Sequence, residues 1–139
     1  MRFRRKELPP SLATAYEGFL AVLEPLEPAK AALTDVLPGT RMPGRPLADA
    51  LAVFVEGLMT ARARMDAWRH PELEAEWAAC DNGLDAARDL ARRVGAEAPE
   101  PEGFEGLLWL VEELLDPLDP FVDAEARFRA LRRRVPARG

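Results

Sequence analysis

Apolar residues recur along this chain at alternating steps of four and three, which is the period of one face of an α-helix. In the middle of the chain this stripe runs from Leu47 to Trp68 and, after Pro71, from Leu73 to Val94. β-Branched residues are few, and no window alternates between apolar and polar residues for long enough to indicate a sheet. The sequence therefore predicts an all-α fold.

The two central stripes predict an antiparallel helical hairpin formed by residues of about 46–70 and 71–95. Matching the stripes outward from the joint pairs apolar positions along their whole length, as antiparallel neighbours require. Pro71 suits the first position of a helix, because its missing amide hydrogen costs little there. A single long helix bent at Pro71 is the alternative. Proline disfavours it by removing one hydrogen bond and by restricting the backbone of His70.

Two outer segments show the same period, and each contains a pair of prolines three residues apart. Residues 22–28 match residues 114–120 in physical type at every position, so the repeat reflects either a pseudo-symmetric bundle or coincidence. A proline inside a helix costs about 3 kcal/mol. We therefore expect both outer helices to break at their prolines. The predicted fold is an up-down helical bundle with the central hairpin and broken outer helices at about 11–24 and 28–37, and at about 101–115 and 120–134.

Length and composition indicate one domain spanning residues 1–139, long enough to bury a core without cross-links. A single His and a single Cys exclude a disulfide framework and the usual four-ligand zinc sites. No apolar run reaches the length of a membrane span, and the basic start is not followed by the apolar stretch of a secretory signal. We expect a cytoplasmic protein with flexible basic tails at 1–8 and 135–139.

Charge is divided between the ends and the body of the chain. Residues 1–6 and 127–139 carry ten basic residues and no acidic ones, whereas residues 7–126 hold all 24 acidic residues, and the net charge is −5. An acidic body repels nucleic acid, and clustered arginines attract phosphates or acidic surfaces. The basic ends are either solvated tails or a binding surface, and we expect nucleic acid not to be the partner.

The predicted topology determines where these charges lie. With short connections, the two ends and the hairpin joint, which carries Arg62, Arg64 and Arg69, gather at one end of the bundle. The loop at 38–46 and the acidic linker at 97–102 lie at the other end. The sequence thus predicts a basic end formed by three separate parts of the chain.

The apolar stripes are wider than a simple four-helix core needs. Four apolar residues fall outside the main stripes and face either an additional helix or a partner chain: Val53, Met59, Trp109 and Leu110. In a monomer, the short helices after the prolines would cover them. In a homodimer, which we favour, the second subunit would do so.

Three glycines lie inside the predicted helices, at Gly18, Gly57 and Gly106. Each costs about 1 kcal/mol relative to alanine. Either a close approach between helices compensates for this cost, or the helices simply tolerate these residues.

The residues that usually carry chemistry form no recognisable site. The Glu-x-x-His motif of di-metal bundles is absent. Glu17 with Glu24, and Glu105 with Glu112, are carboxylate pairs seven residues apart that we expect to be solvated. They would bind a cation or act as an acid-base pair only in a protected cleft. His70 is expected to be exposed or to cap a helix, and Cys80 to be a buried, unreactive thiol.

The sequence therefore predicts a non-catalytic helical bundle with no metal or cofactor, which binds itself and another, unidentified protein. The predicted interaction residues are Val53, Met59, Trp109, Leu110, Arg129, Arg132, Arg133 and Arg134. The main alternative is a small-molecule-binding bundle with an apolar cavity lined by residues 16–26, 50–59 and 104–115. Association of the basic end with nucleic acid or an anionic membrane is a third possibility, and a carboxylate-based enzyme is the last.

Overall fold

The structure, a computed structural model, describes residues 5–38, 45–97 and 103–135. The helices are α1 (Pro10–Thr34), α2 (Leu47–Ala63), α3 (Glu74–Glu97), α4 (Gly103–Leu115) and α5 (Pro120–Ala130), with 3-10 turns at Met65–Trp68, Pro71–Leu73 and Asp116–Leu118. The predicted all-α helical bundle is confirmed. α1 packs along α2, and α3 contacts α2, α4 and α5. Most of the predicted loop at 38–46 and of the linker at 97–102 lies outside the described residues.

Aromatic rings form the centre of the core. Phe19 on α1 is fully buried, and its ring centroid lies 5.0 Å from Trp68, 5.1 Å from Phe128 and 6.1 Å from Phe121. Such close ring pairs add to the free energy gained from burial alone. They join α1, α5 and the 3-10 turn after α2 into one core.

The predicted break in the first outer helix is wrong, because α1 runs through Pro25 and Pro28 without interruption. Pro25 has no N–H to donate to the carbonyl of Ala21, four residues earlier. Arg64, which follows α2, replaces that donor, and its Nη1 lies 2.9 Å from Ala21 O. A tertiary contact thus satisfies the carbonyl that proline leaves free.

The second proline pair breaks its helix as predicted. α4 ends at Leu115, a 3-10 turn covers Asp116–Leu118, and α5 begins at Pro120. α5 ends at Ala130, four residues before the predicted end. No residue that corresponds to Arg64 is needed here, because the helix ends before its prolines.

The joint of the hairpin is built from two 3-10 turns. α2 ends at Ala63, earlier than predicted, and the chain turns through Met65–Trp68 before α3. Pro71 begins the second turn, and the Nδ1 atom of His70 accepts a hydrogen bond from the amide of Glu72 at 3.1 Å. His70 is thus the capping residue that was predicted.

Contacts between α2 and α3 run in antiparallel order, as the matched stripes predict. Next to the joint, the indole N–H of Trp77 donates to the carbonyl of Met65 at 2.8 Å. Further along, Arg62 forms ion pairs with Asp81 and Asp85. The central hairpin is therefore present, whereas a single bent helix is excluded.

The two inner helices, α2 and α3, each pack against an outer segment through a glycine that has no room for a side chain. A Cβ atom at Gly57 would lie 2.8 Å from the carbonyl oxygen of Pro25, and one at Gly83 would overlap the carbonyl oxygen of Pro117. Pro25 and Pro117 are matching positions of the proline repeat. This equivalence favours a pseudo-symmetric bundle, in which α1 corresponds to the α4–α5 segment and α2 to α3.

The correspondence of α2 with α3 is also visible in the sequence, as a second repeat that the apolar stripes did not reveal. Residues 57–62 and 83–88 share the pattern Gly-Leu-x-x-Ala-Arg. In both copies the leucine and the alanine are buried.

The other two glycines that our sequence analysis singled out differ from each other. Gly18 packs against the backbone of Ala67, so the close approach of helices is confirmed at Gly18 and Gly57. Gly106 is half-buried, and its role stays a prediction.

The ends of the described chain form a two-stranded antiparallel ribbon that the sequence did not predict. β1 (Arg5–Glu7) pairs with β2 (Arg133–Val135), with Lys6 opposite Arg134. The strands contain three residues each, which is too short for a detectable alternating pattern. Residues 5–7 and Val135 are therefore ordered in strands, although we predicted flexible tails at 1–8 and 135–139. Residues 1–4 and 136–139 lie outside the described residues.

Substituting Gly83 tests the packing between inner and outer segments. Gly83→Ala is expected to lower the free energy of unfolding by about 1–3 kcal/mol, because its methyl group would overlap the Pro117 carbonyl. Gly95→Ala is the control, since nothing lies within 4 Å of a Cβ there, and alanine should raise stability by about 0.5–1 kcal/mol. Urea denaturation followed by circular dichroism measures both. Equal effects would contradict the close packing.

A double-mutant cycle tests how α1 accommodates Pro25. Arg64→Met should cost about 0.5–1.5 kcal/mol in the native background, because it leaves the Ala21 carbonyl without its donor. The same change should cost almost nothing when Pro25→Ala is also present, because the alanine N–H then bonds to Ala21. Chemical denaturation of the four proteins gives the coupling. A cost that is independent of residue 25 would refute this explanation of the unbroken helix.

Candidate functional site

No group of three or more potential metal ligands occurs within residues 5–38, 45–97 and 103–135. The carboxylate pairs Glu17 with Glu24 and Glu105 with Glu112 are exposed, as expected. Both ring nitrogens of His70 have partners, since its Nε2 lies 3.2 Å from Ser11 Oγ. These residues therefore form structural contacts or lie in solvent.

Two titratable groups, those of Cys80 and Tyr16, have pKa values that their surroundings raise. Cys80 is fully buried, and desolvation, reinforced by the nearby charges of Asp123 and Glu76, raises the pKa of its thiol to about 12. The phenol of Tyr16 donates a hydrogen bond to Glu125 at 2.8 Å, and this bond together with desolvation raises its pKa. The buried, unreactive thiol predicted at Cys80 agrees with its position.

The predicted apolar interaction residues divide into two exposed and two half-buried side chains. Met59 is 51 % exposed and Trp109 is 62 % exposed, whereas Val53 and Leu110 are half-buried against the core. α2 and α4 are not packed against each other, so Met59 and Trp109 belong to separate surfaces. Of the four, Met59 and Trp109 remain candidates for direct contact with a partner.

α4 is the helix whose apolar residues are least covered. Eight of its 13 residues are large and apolar, yet only Val111 and Leu114 are buried. Trp109 lies on the side of α4 opposite these two residues, since 100° separates successive residues on a helix. Phe104, at the start of α4, is 51 % exposed and was not among the predicted residues. α4 thus exposes more apolar surface than its own packing explains.

The contacts of the ribbon and the joint place both at the same end of the bundle, as expected from the predicted order of helices and their short connections. Arg133 forms an ion pair with Glu72 at 3.3 Å, next to the capping contact between Ser11 and His70. Arg127 pairs with Glu76, and Arg69 pairs with Glu74. Several basic residues here therefore face carboxylates of the joint and of the start of α3. The end that we predicted to be basic is a surface of mixed charge.

The predicted basic interaction residues differ in their surroundings. Arg129 and Arg132 are exposed. Arg129 borders a largely apolar groove between α1 and α5, and Arg132 borders a groove beside β1 and α1 that is lined mostly by charged residues. The side chain of Arg134 lies outside the described part of the structure. Arg133 is held by Glu72, which gives it a structural role in fixing the ribbon to the joint.

A groove between α2 and α3 contains residues that our sequence analysis did not select. It has a volume of about 260 Å³, and its lining consists of Leu58, Met59, Arg62, Ala63, Leu84 and Arg88. The Gly-Leu-x-x-Ala-Arg repeat is the sequence signal that could have identified it, because both leucines and both arginines of the repeat line the groove.

The residues expected to line one apolar cavity instead border separate grooves. Tyr16 borders the groove beside β1, Leu23 and Leu26 border that between α1 and α5, and residues 52–59 border two grooves along α2. All of these grooves open to solvent, and the small-molecule alternative stays a prediction.

Comparisons with known proteins found no family model that matches the chain, and no curated protein sequence and no solved structure similar to it. Within the described ranges, no helix combines the length and apolar character needed to cross a membrane. The candidate surfaces are therefore argued from their own geometry and chemistry.

The raised pKa of Cys80 predicts how its thiol reacts. A shift from 9.0 to about 12 lowers the thiolate fraction at pH 8 by about three orders of magnitude. Reaction with a disulfide reagent such as DTNB should therefore be slow in the folded protein and fast in urea. Fast labelling of the folded protein would contradict the burial of Cys80.

The same shift predicts a pH dependence of stability. Because the folded state holds the proton more tightly, the contribution of the thiol is fully present below pH 9 and is lost as pH rises towards 12. The difference in unfolding free energy between the native protein and Cys80→Ala should therefore shrink across this range. A constant difference would show that the thiol titrates normally.

Proposed function

We propose that this chain is a non-catalytic helical bundle that acts by binding protein, and that it pairs with itself through the outer side of α4. This proposal rests on Trp109, whose side chain is 62 % exposed. It lies on a helix with eight large apolar residues, of which two are buried. Tryptophan is among the residues most enriched at the centres of protein interfaces. We also propose that the protein is cytoplasmic, since a single reduced cysteine is ordinary in that compartment.

The position of Trp109 supports pairing about a two-fold axis. It is the central residue of α4, which spans Gly103–Leu115. Two antiparallel copies of α4 crossing at this residue would bring the two indoles together and cover neighbouring leucines. Two-fold pairing of identical surfaces is the commonest closed arrangement of subunits. It would remove from water the part of α4 that the chain itself leaves uncovered.

Carboxylates around Trp109 limit the strength of this pairing. Glu105 and Glu112 are exposed on the same side of α4 as Trp109, so antiparallel pairing brings acidic residues of the two copies close together. Exposed like charges repel, and salt screens the repulsion. The proposed dimer should therefore become tighter as ionic strength rises.

The basic residues are proposed to contact a second, unidentified protein. Arg129 and Arg132 are exposed, and arginine binds carboxylates through two parallel hydrogen bonds. Arg133 and Arg134 belong to the same proposed surface by their place in the sequence.

Substitution of Trp109 tests the proposed pairing. Sedimentation equilibrium of the native chain at micromolar concentration should give twice the chain mass of 15.4 kDa. Trp109→Ser should raise the dissociation constant of the dimer at least about 30-fold, because each interface loses two buried indoles.

Val122→Ser is the matched control, since Val122 is 67 % exposed but lies on α5. It should leave the dissociation constant unchanged. A native chain that stays monomeric up to several hundred micromolar would refute pairing, and equal effects of the two substitutions would refute the role of α4.

A further inference from the structure

The groove between α2 and α3 is bordered by the two arginines of the Gly-Leu-x-x-Ala-Arg repeat, Arg62 and Arg88. Leu58 and Leu84, the two repeat leucines, form its apolar floor and are almost fully buried. The groove therefore lies where the two halves of the pseudo-symmetric bundle meet, and it receives one arginine from each half.

The two arginines have different partners. Arg62 forms ion pairs with Asp81 and Asp85 on α3. When the repeat is used to align residue 57 with residue 83, the residues of α2 that correspond to these aspartates are Val55 and Met59. Met59 borders the groove together with Arg88, whereas Arg62 in the same groove is paired with two carboxylates.

Arg88 carries a polar atom that its surroundings do not satisfy. Its Nε is buried and has no hydrogen-bond partner among the described residues. A buried donor without an acceptor is unfavourable, so the half-buried Arg88 side chain gains a hydrogen bond if it turns towards an acceptor that a partner brings into the groove. A carboxylate is the acceptor that a guanidinium binds most strongly in proteins.

The surface next to Arg88 is an apolar ridge with a groove on each side. Ala52, Val55, Met59 and Ala63 follow one another at helical spacing along the outer side of α2. Met59 and Ala63 border both the groove towards α3 and a second groove on the other side of α2. The ridge spans three helical turns, about 16 Å. A ridge between two grooves is the shape against which another helix packs.

We propose that this surface, the α2 ridge together with Arg88, docks an amphipathic helix of a partner protein that presents a glutamate or aspartate to Arg88 among apolar side chains. The proposal rests on the proposed function, namely that the chain acts by binding protein, and it specifies the chemistry of one partner. Both grooves are open along their length, whereas small-molecule sites enclose most of their ligand.

The overall charge of the chain makes this specificity distinctive. At a net charge of −5, long-range electrostatics favour a basic partner over an acidic one. Glu56, which borders the second groove, also repels an acidic partner. A preference for an acidic helix would therefore have to come from a contact with Arg88, the residue on this surface whose polar atom lacks an acceptor.

Three synthetic helical peptides of about four turns test the proposal. They share leucines at spacings of three and four, carry glutamate, glutamine or lysine at the flanking positions, and bear a fluorescent label for anisotropy measurements. The glutamate peptide should bind the full chain at least tenfold more tightly than the lysine peptide. Equal affinities, a preference for lysine, or no binding of the glutamate peptide at millimolar concentration would overturn the proposal.

Arg88→Met is the decisive variant, because it removes the guanidinium and keeps an apolar side chain. It should weaken binding of the glutamate peptide about tenfold and abolish the preference for glutamate over glutamine. Arg92→Met is the matched control, since Arg92 is exposed one turn further along α3, and it should change affinity less than twofold. Equal effects of the two substitutions would overturn the role of Arg88.

An NMR measurement on the native chain avoids dependence on folding of the variant. The Nε–H resonance of Arg88 should move downfield when the glutamate peptide is added and stay in place with the lysine peptide. Trp109→Ser should leave peptide binding unchanged. A chain that pairs through Trp109 but does not bind the glutamate peptide would overturn this docking site alone, whereas a monomeric chain that binds the peptide would overturn the pairing alone.

Discussion

The contact of a glycine with a proline carbonyl sets the distance between inner and outer segments in both halves of this bundle. Gly57 meets Pro25, and Gly83 meets Pro117, with no space left for a methyl group. Because the helices approach this closely, the leucine one residue after each glycine and the alanine four residues after it are buried in the core. The prolines, which weaken their own helices, thus lie where the neighbouring helix comes closest. The two halves of the pseudo-symmetric bundle thus share the same kind of packing contact.

The fold could be predicted wherever a local pattern decided it. The stripes from Leu47 to Val94 were sufficient to predict the central hairpin, because antiparallel helices need matching apolar positions. The continuity of α1 could not be predicted, because it depends on a hydrogen bond from Arg64 to Ala21 across 43 residues. Propensity alone made the two proline pairs equivalent, and the Arg64 donor is a tertiary contact that propensity does not include. The ribbon was missed because each of its strands is too short for a pattern.

The candidate surfaces were predictable in part. Trp109 and Met59 fall outside the main stripes, and both are exposed. Val53 and Leu110 fall outside them too but are half-buried, because the packing of a helix extends beyond a single stripe. Arg88 could not be identified from its own neighbourhood in the sequence, where several aspartates make it resemble a solvated residue. Its lack of an acceptor results from Met59 on the facing helix, where the related position on α3 is Asp85.

The terminal ribbon has a consequence for the order of folding events. Pairing Arg5 with Val135 closes a loop of about 130 residues, and the entropy lost on closing a loop rises with its length. Strands of three residues cannot offset that loss by themselves, so they can pair only after the helices have brought the two ends together. We therefore expect the ribbon to form late and to open while the aromatic core stays intact. Backbone amides of the ribbon should accordingly exchange with solvent much faster than those around Phe19.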